Sequence, residues 1–182
     1  DALYNCVKLI YQALLNTEYL VCEHFPILSP FLPKTIHFIT SEELLQRYPN
    51  QTAKERENSI CKEYGAVFIS GIGGTLSNGE VHDFRAPDYD DWTTHAPTKE
   101  APNHCGLNGD LLIWYAPLQK AVEISSMGIR VDKSALLKQL EITNHLDWQQ
   151  FTYHNAIINN QLPLTIGGGI GQSRLCMLLL HK

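Results

Sequence analysis

The sequence lacks the features that mark several large classes of protein. It contains no C-x-x-C pair, and its five cysteines are odd in number and widely spaced, which argues against a disulfide framework and a zinc ribbon. No apolar run approaches the ~18 residues of a membrane-spanning helix. Basic residues are in deficit, with 14 Lys and Arg against 19 Asp and Glu. Because non-specific phosphate binding needs a basic surface, we expect no nucleic-acid binding. The cysteine pattern and the short apolar runs lead us to expect a cytoplasmic protein with free thiols that does not bind a membrane.

What is present fits one folded domain. The 182 residues are 44% hydrophobic and 18% charged, which suits a packed core and excludes intrinsic disorder. The chain begins at Asp1 instead of Met, and it ends directly after an apolar run. Since natural termini are usually polar and loose, we expect residues 1–182 to be a single, partial domain of a longer protein.

Hydrophobic periodicity and capping signals predict a mixed α and β chain. Helices are expected over residues 2–20, 41–47, 53–64, 133–140 and 146–159, with a last helix from about residue 171. Strands are expected over residues 35–39, 66–72, 80–86, 110–115, 121–129 and 164–166. The strand connections after residue 66 are mostly short, which favours an α+β fold with an antiparallel sheet flanked by helices.

An acidic loop is the first candidate site. Arg85 is followed within seven residues by Asp88, Asp90 and Asp91, in a segment that also holds Pro87 and two aromatics. Carboxylates this dense repel one another unless a cation lies among them. The segment is therefore either a rigid cation-binding loop or a solvated acidic turn.

A pair of carboxylates on the predicted strands is the second candidate site. Asp110 and Glu123 lie in apolar surroundings, on strands joined by a turn too short for a crossover. We expect both carboxylates to face one site, with Glu123 and Ser125 on the same face of their strand. One or two carboxylates, with phosphates supplying the remaining oxygens, are typical of Mg²⁺ binding. The alternative is that both carboxylates face water.

A glycine-rich segment is the third candidate site. Gly167, Gly168 and Gly169 follow a predicted strand and precede the last helix, in which Arg174 lies one turn from the start. Such a strand-to-helix junction allows backbone to approach a ligand closely, and the arginine adds a guanidinium for phosphate. The segment does not match the G-x-x-x-x-G-K-[ST] pattern, so a P-loop is excluded.

These three motifs, in this order, resemble the ammonia-dependent asparagine synthetase family, whose catalytic fold is that of class II aspartyl- and asparaginyl-tRNA synthetases. The matching stretches cover nearly the whole chain and include residues 31–33, 36–38, 43–49, 65–68, 71–74, 82–83, 85–92, 106–110, 123, 125–130 and 165–175. The resemblance implies the C-terminal portion of that catalytic fold. The family's upstream half carries its dimer-forming motif and an arginine for the α-phosphate, and neither is found here.

The resemblance also implies a reaction, in which ATP activates L-aspartate as an aspartyl-adenylate and ammonia then releases AMP to give L-asparagine. Arg85 would pair with a substrate carboxylate, Asp90 with the α-ammonium, and Arg174 with the triphosphate. Asp110 and Glu123 would hold Mg²⁺. The remaining implied residues are Ser126, Gly167 and Gly168 for the substrate, and Glu123, Ile124, Ser125 and Gly169 for ATP.

Two other functions stay open at this point. One is the catalytic core of an aspartyl- or asparaginyl-tRNA synthetase, against which the acidic charge balance argues. The other is an inactive fragment that only binds nucleotide or a partner. For the full-length protein of the resembling family, a homodimer is expected.

Overall fold

The computed structural model describes residues 2–181; Asp1 and Lys182 lie outside the described residues. Its centre is a five-stranded sheet in the order β1-β2-β3-β4-β5. The strands are β1 (His37–Thr40), β2 (Ala66–Ser70), β3 (Asn108–Tyr115), β4 (Lys120–Ile129) and β5 (Ile166–Ile170). The helices are α1 (Ala2–His24), α2 (Ser41–Arg47), α3 (Ala53–Tyr64), α4 (Lys133–Ile142), α5 (Thr152–Ile158) and α6 (Gln172–Leu179). The predicted α+β fold is confirmed, except that β1 pairs with β2 in parallel.

Local capping chemistry sets the starts of the helices that flank β1 and β2. Thr40 and Thr52 each accept a hydrogen bond from the backbone N–H three residues on, and Glu43 and Glu55 reciprocate to the cap backbone. Helix α3 ends at Gly65, whose φ of 77° is a conformation that residues with a Cβ rarely adopt. These boundaries agree with the sequence prediction.

The sheet is covered on both faces. Helices α1 and α6 pack on one face, in a core that includes Phe68, Leu111 and Ile113. The opposite face carries Ile69 and Leu112, which pack against residues of α2 and α3. Among residues 2–181, α1 included, no helix is long and apolar enough to cross a membrane. The part of this second face that α3 leaves uncovered is where the candidate site forms.

The predictions for residues 80–86 and for residues 146–159 are wrong. Residues 80–86 do not form a strand: Val81 makes an isolated bridge with Thr75, and the Phe84 N–H then bonds to the side chain of its neighbour Asp83 instead of to a strand. The predicted helix over 146–159 is broken at Phe151, whose ψ of 147° is extended. A 3₁₀ segment (Leu146–Gln150) precedes the break and α5 follows it. The apolar spacing of residues 146–159 suits two short segments as well as one continuous helix.

The glycine-rich segment is a strand and not a strand-to-helix turn, which corrects the prediction for residues 164–166. In β5, Gly167, Gly168 and Gly169 pair with residues of β4. A Cβ on Gly168 would lie 2.6 Å from the Cβ of Met127, so the close pairing needs glycine at that position. The edge of β5 that faces away from β4 has no strand partner among residues 2–181.

Candidate active site

A cavity of about 530 Å³ opens beside β4 and β5. The predicted site residues that line it are Arg85, Asp90, Glu123, Ser126, Gly169 and Arg174. They come from the loop after β2, from β4, from β5 and from α6, so the three motifs of the sequence meet at one place.

A β-bulge in the pairing of β3 with β4 decides which side chains face the cavity. Leu111 pairs with Ser125 and Leu112 pairs with Glu123, so Ile124 is the extra residue. Asp110 is two residues from Leu112 and therefore shares a face with Glu123, as predicted. Ser125 lies on the opposite face, and the prediction that it shares a face with Glu123 is wrong because an extra residue reverses the alternation.

Ile124 and Ser125 point away from the cavity. Ile124 belongs to the core beneath α1, and its carbonyl accepts a hydrogen bond from the Gly171 N–H. Ser125 is 2% exposed, and its hydroxyl has no partner among the described residues. Any contribution of these two residues to a nucleotide site would pass through the backbone of β4.

Arg85 and Asp110 form an ion pair. Arg85 Nη2 lies 2.5 Å from Asp110 Oδ2, and Arg85 Nη1 donates to the carbonyl of Phe84. The other oxygen of Asp110, Oδ1, is buried and has no partner among residues 2–181. The residue predicted to bind a substrate carboxylate thus neutralises a residue predicted to hold metal, a pairing that the sequence does not reveal.

Glu123 and Arg174 form the opposite wall. Arg174 Nη1 donates to the Glu123 carbonyl at 3.0 Å and lies 3.5 Å from Glu123 Oε1. Burial raises the pKa of Glu123, and the charge of Asp110 raises it further. Two carboxylates that share a face, one with an orphaned oxygen, fit a divalent cation. No set of three or more His, Cys, Asp or Glu in the described chain could complete a metal cage, so water or phosphate oxygens would have to supply the other ligands.

Asp90 is held by Arg130, a residue to which sequence reasoning assigned no role. Arg130 Nη1 donates to Asp90 Oδ1, and Nη2 donates to the Tyr89 hydroxyl at 3.1 Å. The guanidinium also lies 3.9 Å from the centre of the Tyr89 ring. Burial raises the pKa of Asp90, and Arg130 acts against that rise. The only available signal was that Arg130 ends one of the stretches resembling the family.

Glycines give this ion pair its space. A Cβ on Gly128 would lie 2.7 Å from Asp90 Cγ, and a Cβ on Gly167 would lie 2.5 Å from Arg130 Nη2. A Cβ on Gly169, by contrast, would meet no atom within 4 Å and would project into open space. Gly167 therefore accommodates Arg130, whereas Gly169 leaves room beside the cavity.

The acidic loop is rigid and largely buried, so a solvated turn is excluded. Asp90 and Asp91 are 5% and 4% exposed. Asp91 Oδ1 accepts from the backbone N–H groups of Thr93 and Thr94. The fully buried Gln139 of α4 donates to the carbonyls of Pro87 and Asp90 and accepts from the Trp92 N–H. Gln139 is a second positioning residue that the sequence did not indicate.

Comparison with known proteins identifies the family. A family model described as AsnA, aspartate-ammonia ligase, matches residues 1–182. Relatives named aspartate–ammonia ligase are 57% identical in Parabacteroides distasonis and 54% identical in Bacteroides fragilis, over 100% of this chain and 52% of each relative. The chain therefore spans about half the length of these curated relatives.

Solved structures show the same fold at low identity. An aspartyl-tRNA synthetase from Entamoeba histolytica is 16% identical, with a TM-score of 0.62, over 98% of this chain and 38% of that one. An asparaginyl-tRNA synthetase from Pyrococcus horikoshii, complexed with asparaginyl-adenylate, is 15% identical, with a TM-score of 0.54, over 95% of this chain and 41% of that one. The fold is that of class II aminoacyl-tRNA synthetases.

Proposed function

Because the chain belongs to the aspartate–ammonia ligase family, we propose that the full-length protein converts L-aspartate, ammonia and ATP into L-asparagine, AMP and pyrophosphate. The carrying observation is the cavity in which Arg85, Asp90, Glu123 and Arg174 converge. It offers cations for a carboxylate and for phosphates, an anion for an ammonium group, and in Glu123 a carboxylate for a metal. A solved synthetase of the same fold binds an amino-acyl adenylate, which is the kind of intermediate this reaction requires.

The chemistry proceeds in two displacements. An oxygen of the aspartate side-chain carboxylate bonds to the α-phosphorus of ATP, and the bond from that phosphorus to the bridging oxygen breaks to release pyrophosphate. The nitrogen of ammonia then bonds to the acyl carbon, and the bond from that carbon to the AMP oxygen breaks. A proton leaves the new amide nitrogen. Positioning and charge neutralisation provide most of the acceleration in phosphate chemistry of this type.

The residues of this chain take distinct parts. Arg85 binds a carboxylate of aspartate, Asp90 accepts from its α-ammonium group, and Arg174 contacts the triphosphate. Asp110 and Glu123 would hold Mg²⁺, which when bound neutralises charge on the phosphate oxygens. Ser126 and Gly169 form the adjoining wall of the cavity, and Gly167 and Gly168 continue β5 beside it. Support for these parts comes from the charges and positions of the side chains.

Substrate binding then requires an exchange of partners. Arg85 is bound to Asp110 and Asp90 to Arg130. Arg85 would have to leave Asp110 before its guanidinium could bind the substrate carboxylate, and Asp110 would then be available to hold Mg²⁺. The protein would act as a homodimer in the cytoplasm without binding nucleic acid, for which the family resemblance and the acidic charge balance are the support.

The test uses the full-length gene product with aspartate, ammonia and ATP. We expect equimolar asparagine, AMP and pyrophosphate, and we expect the 182-residue chain alone to form none. Asp90→Asn in the full-length protein should raise the KM for aspartate about ten- to a hundredfold, because a charge-assisted contact typically contributes ~1.5–3 kcal/mol. The KM for ATP should change little. Transfer of an aminoacyl group to tRNA without asparagine formation would instead support a tRNA synthetase.

A further inference from the structure

A second group of charged side chains lies next to the candidate active site, and the reaction above makes no use of it. It consists of Lys54 and Glu57 in the first two turns of α3, and of His82 and Asp83 in the segment that leads to Arg85. Asp83 connects the group to the site, since its Oδ2 lies 3.9 Å from Arg85 Nη1.

Glu57 is a buried carboxylate at the centre of this group. Its side chain is 7% exposed and accepts from His82 Nε2 at 3.2 Å and from Lys54 Nζ at 3.0 and 3.1 Å. Burial acts to raise the pKa of Glu57, but the hydrogen bonds from His82 and Lys54 outweigh it and hold the pKa below its usual value. A carboxylate that stays ionised while buried needs such partners.

His82 is the buried hydrogen-bond partner of Glu57. Its side chain is 1% exposed. Because an ionised carboxylate can only accept, the ring donates through Nε2. The other ring nitrogen, Nδ1, is buried and has no partner in the described part of the chain. Leaving one nitrogen unpaired is costly, so the ring is placed for its contact with Glu57.

Lys54 is mostly exposed and lies near the charged groups of the site. Its side chain is 69% exposed, and its ammonium lies 3.9 Å from Asp83 Oδ2, which in turn lies 3.9 Å from Arg85 Nη1. Arg85 then reaches Asp110 at 2.5 Å. A lysine needed only to neutralise Glu57 could be buried with it. Here Glu57 is buried while the Lys54 side chain is mostly exposed, and Glu57 takes two of the three donors of the ammonium.

We propose that Lys54 binds the β- and γ-phosphate oxygens of ATP, and hence the pyrophosphate leaving group, and that Glu57, oriented by His82, is its positioning residue. This inference rests on the proposed function. In the proposed function, the triphosphate lies beside Asp110 and Glu123, which would hold its Mg²⁺. An ammonium beside those carboxylates adds positive charge where the departing pyrophosphate gains negative charge.

Direct binding tests the proposal without relying on turnover. Pyrophosphate and AMP are titrated separately, with Mg²⁺, into the full-length protein and into its Lys54→Met variant. We expect the variant to bind pyrophosphate about tenfold more weakly and AMP within twofold of the unaltered protein, because AMP has no β-phosphate. Lys62→Met is the matched control on the last turn of the same helix, and it should change neither affinity.

Conservative variants separate binding from structure. Lys54→Arg keeps the charge and should bind pyrophosphate within about threefold of the unaltered protein. Glu57→Gln keeps the shape of the side chain but releases Lys54, and it should weaken pyrophosphate binding by a smaller factor than Lys54→Met. Melting temperatures of all variants show whether a loss of affinity accompanies unfolding.

Two results would overturn the proposal. One is unchanged pyrophosphate affinity in Lys54→Met. The other is an equal loss for AMP and pyrophosphate, which would make the group a structural clamp between α3 and residues 82–83. Either result can occur while the full-length protein still forms asparagine, so the failure of this inference is distinguishable from failure of the proposed function.

Discussion

Arg130→Met would remove the partner of a buried carboxylate. The side chains of Arg130 and Asp90 are 16% and 6% exposed, so neither charge is well solvated. Removing one member of a buried pair typically costs about 3–5 kcal/mol, since the remaining charge is left without a partner. The Tyr89 contact adds roughly 0.5–1 kcal/mol. We therefore expect Arg130→Met to lower the free energy of unfolding of the full-length protein by at least about 3 kcal/mol at neutral pH.

The loss should depend on pH in a defined direction. The pKa of Asp90 is already raised by burial, and removing Arg130 raises it further. A carboxyl whose pKa is higher in the folded than in the unfolded state makes the protein less stable as pH rises from the unfolded value through the folded one. The deficit of Arg130→Met should thus be smallest in acid and largest at neutral pH.

The assay is urea denaturation at several pH values, combined with a double variant. Arg130→Met with Asp90→Asn removes both charges and should recover most of the lost stability, while aspartate binding remains impaired. A single-variant loss below about 1 kcal/mol, typical of exposed pairs, would refute the argument that this pair is buried and matched. So would an absence of recovery in the double variant.

Two further predictions address the metal and nucleotide walls. Glu123→Gln should raise the melting temperature at neutral pH. Burial and the charge of Asp110 raise the pKa of Glu123, so its ionised form opposes folding, and the gain should shrink toward acid pH. The response to Mg²⁺ in thermal shift assays should disappear, and an unchanged response would contradict the metal assignment. Gly169→Ala should keep the melting temperature within about 2 °C, because its Cβ meets no atom within 4 Å, yet it should weaken ATP binding. Gly167→Ala should displace Arg130 and weaken aspartate binding. Equal effects of the two variants in titrations of both ligands would contradict this division.

Local chemistry explains which parts of the fold could be predicted. The Thr40 and Thr52 caps and the stop at Gly65 depend on residues within one helical turn, and the sequence states them directly. The break at Phe151 and the absence of a strand over residues 80–86 depend on the contacts and hydrogen-bond partners that distant parts of the chain provide. The same apolar spacing suits either outcome, so periodicity alone could not decide.

The site divides in the same way. The types of residue needed for carboxylate, ammonium and phosphate binding were visible in the motifs, and the cavity contains them. The partner of each charge was not visible, because Asp90 and Arg130 are forty residues apart and meet only through the fold. The bulge at Ile124 was also hidden, since nothing in the local sequence marks the extra residue.

The bulge is what allows one strand to serve both the core and the site. Without the extra residue, strict alternation would place Glu123 and Ser125 together and would turn Ser126 to the other face. With it, Glu123 and Ser126 both lie beside the cavity, and Ile124 packs under α1. A carboxylate and a hydroxyl three residues apart thus line one cavity, while the intervening residues close the core behind them. Deleting Ile124 would shift the register by one residue and would have to expose either the core or the cavity, so the bulge shapes the cavity as much as the core.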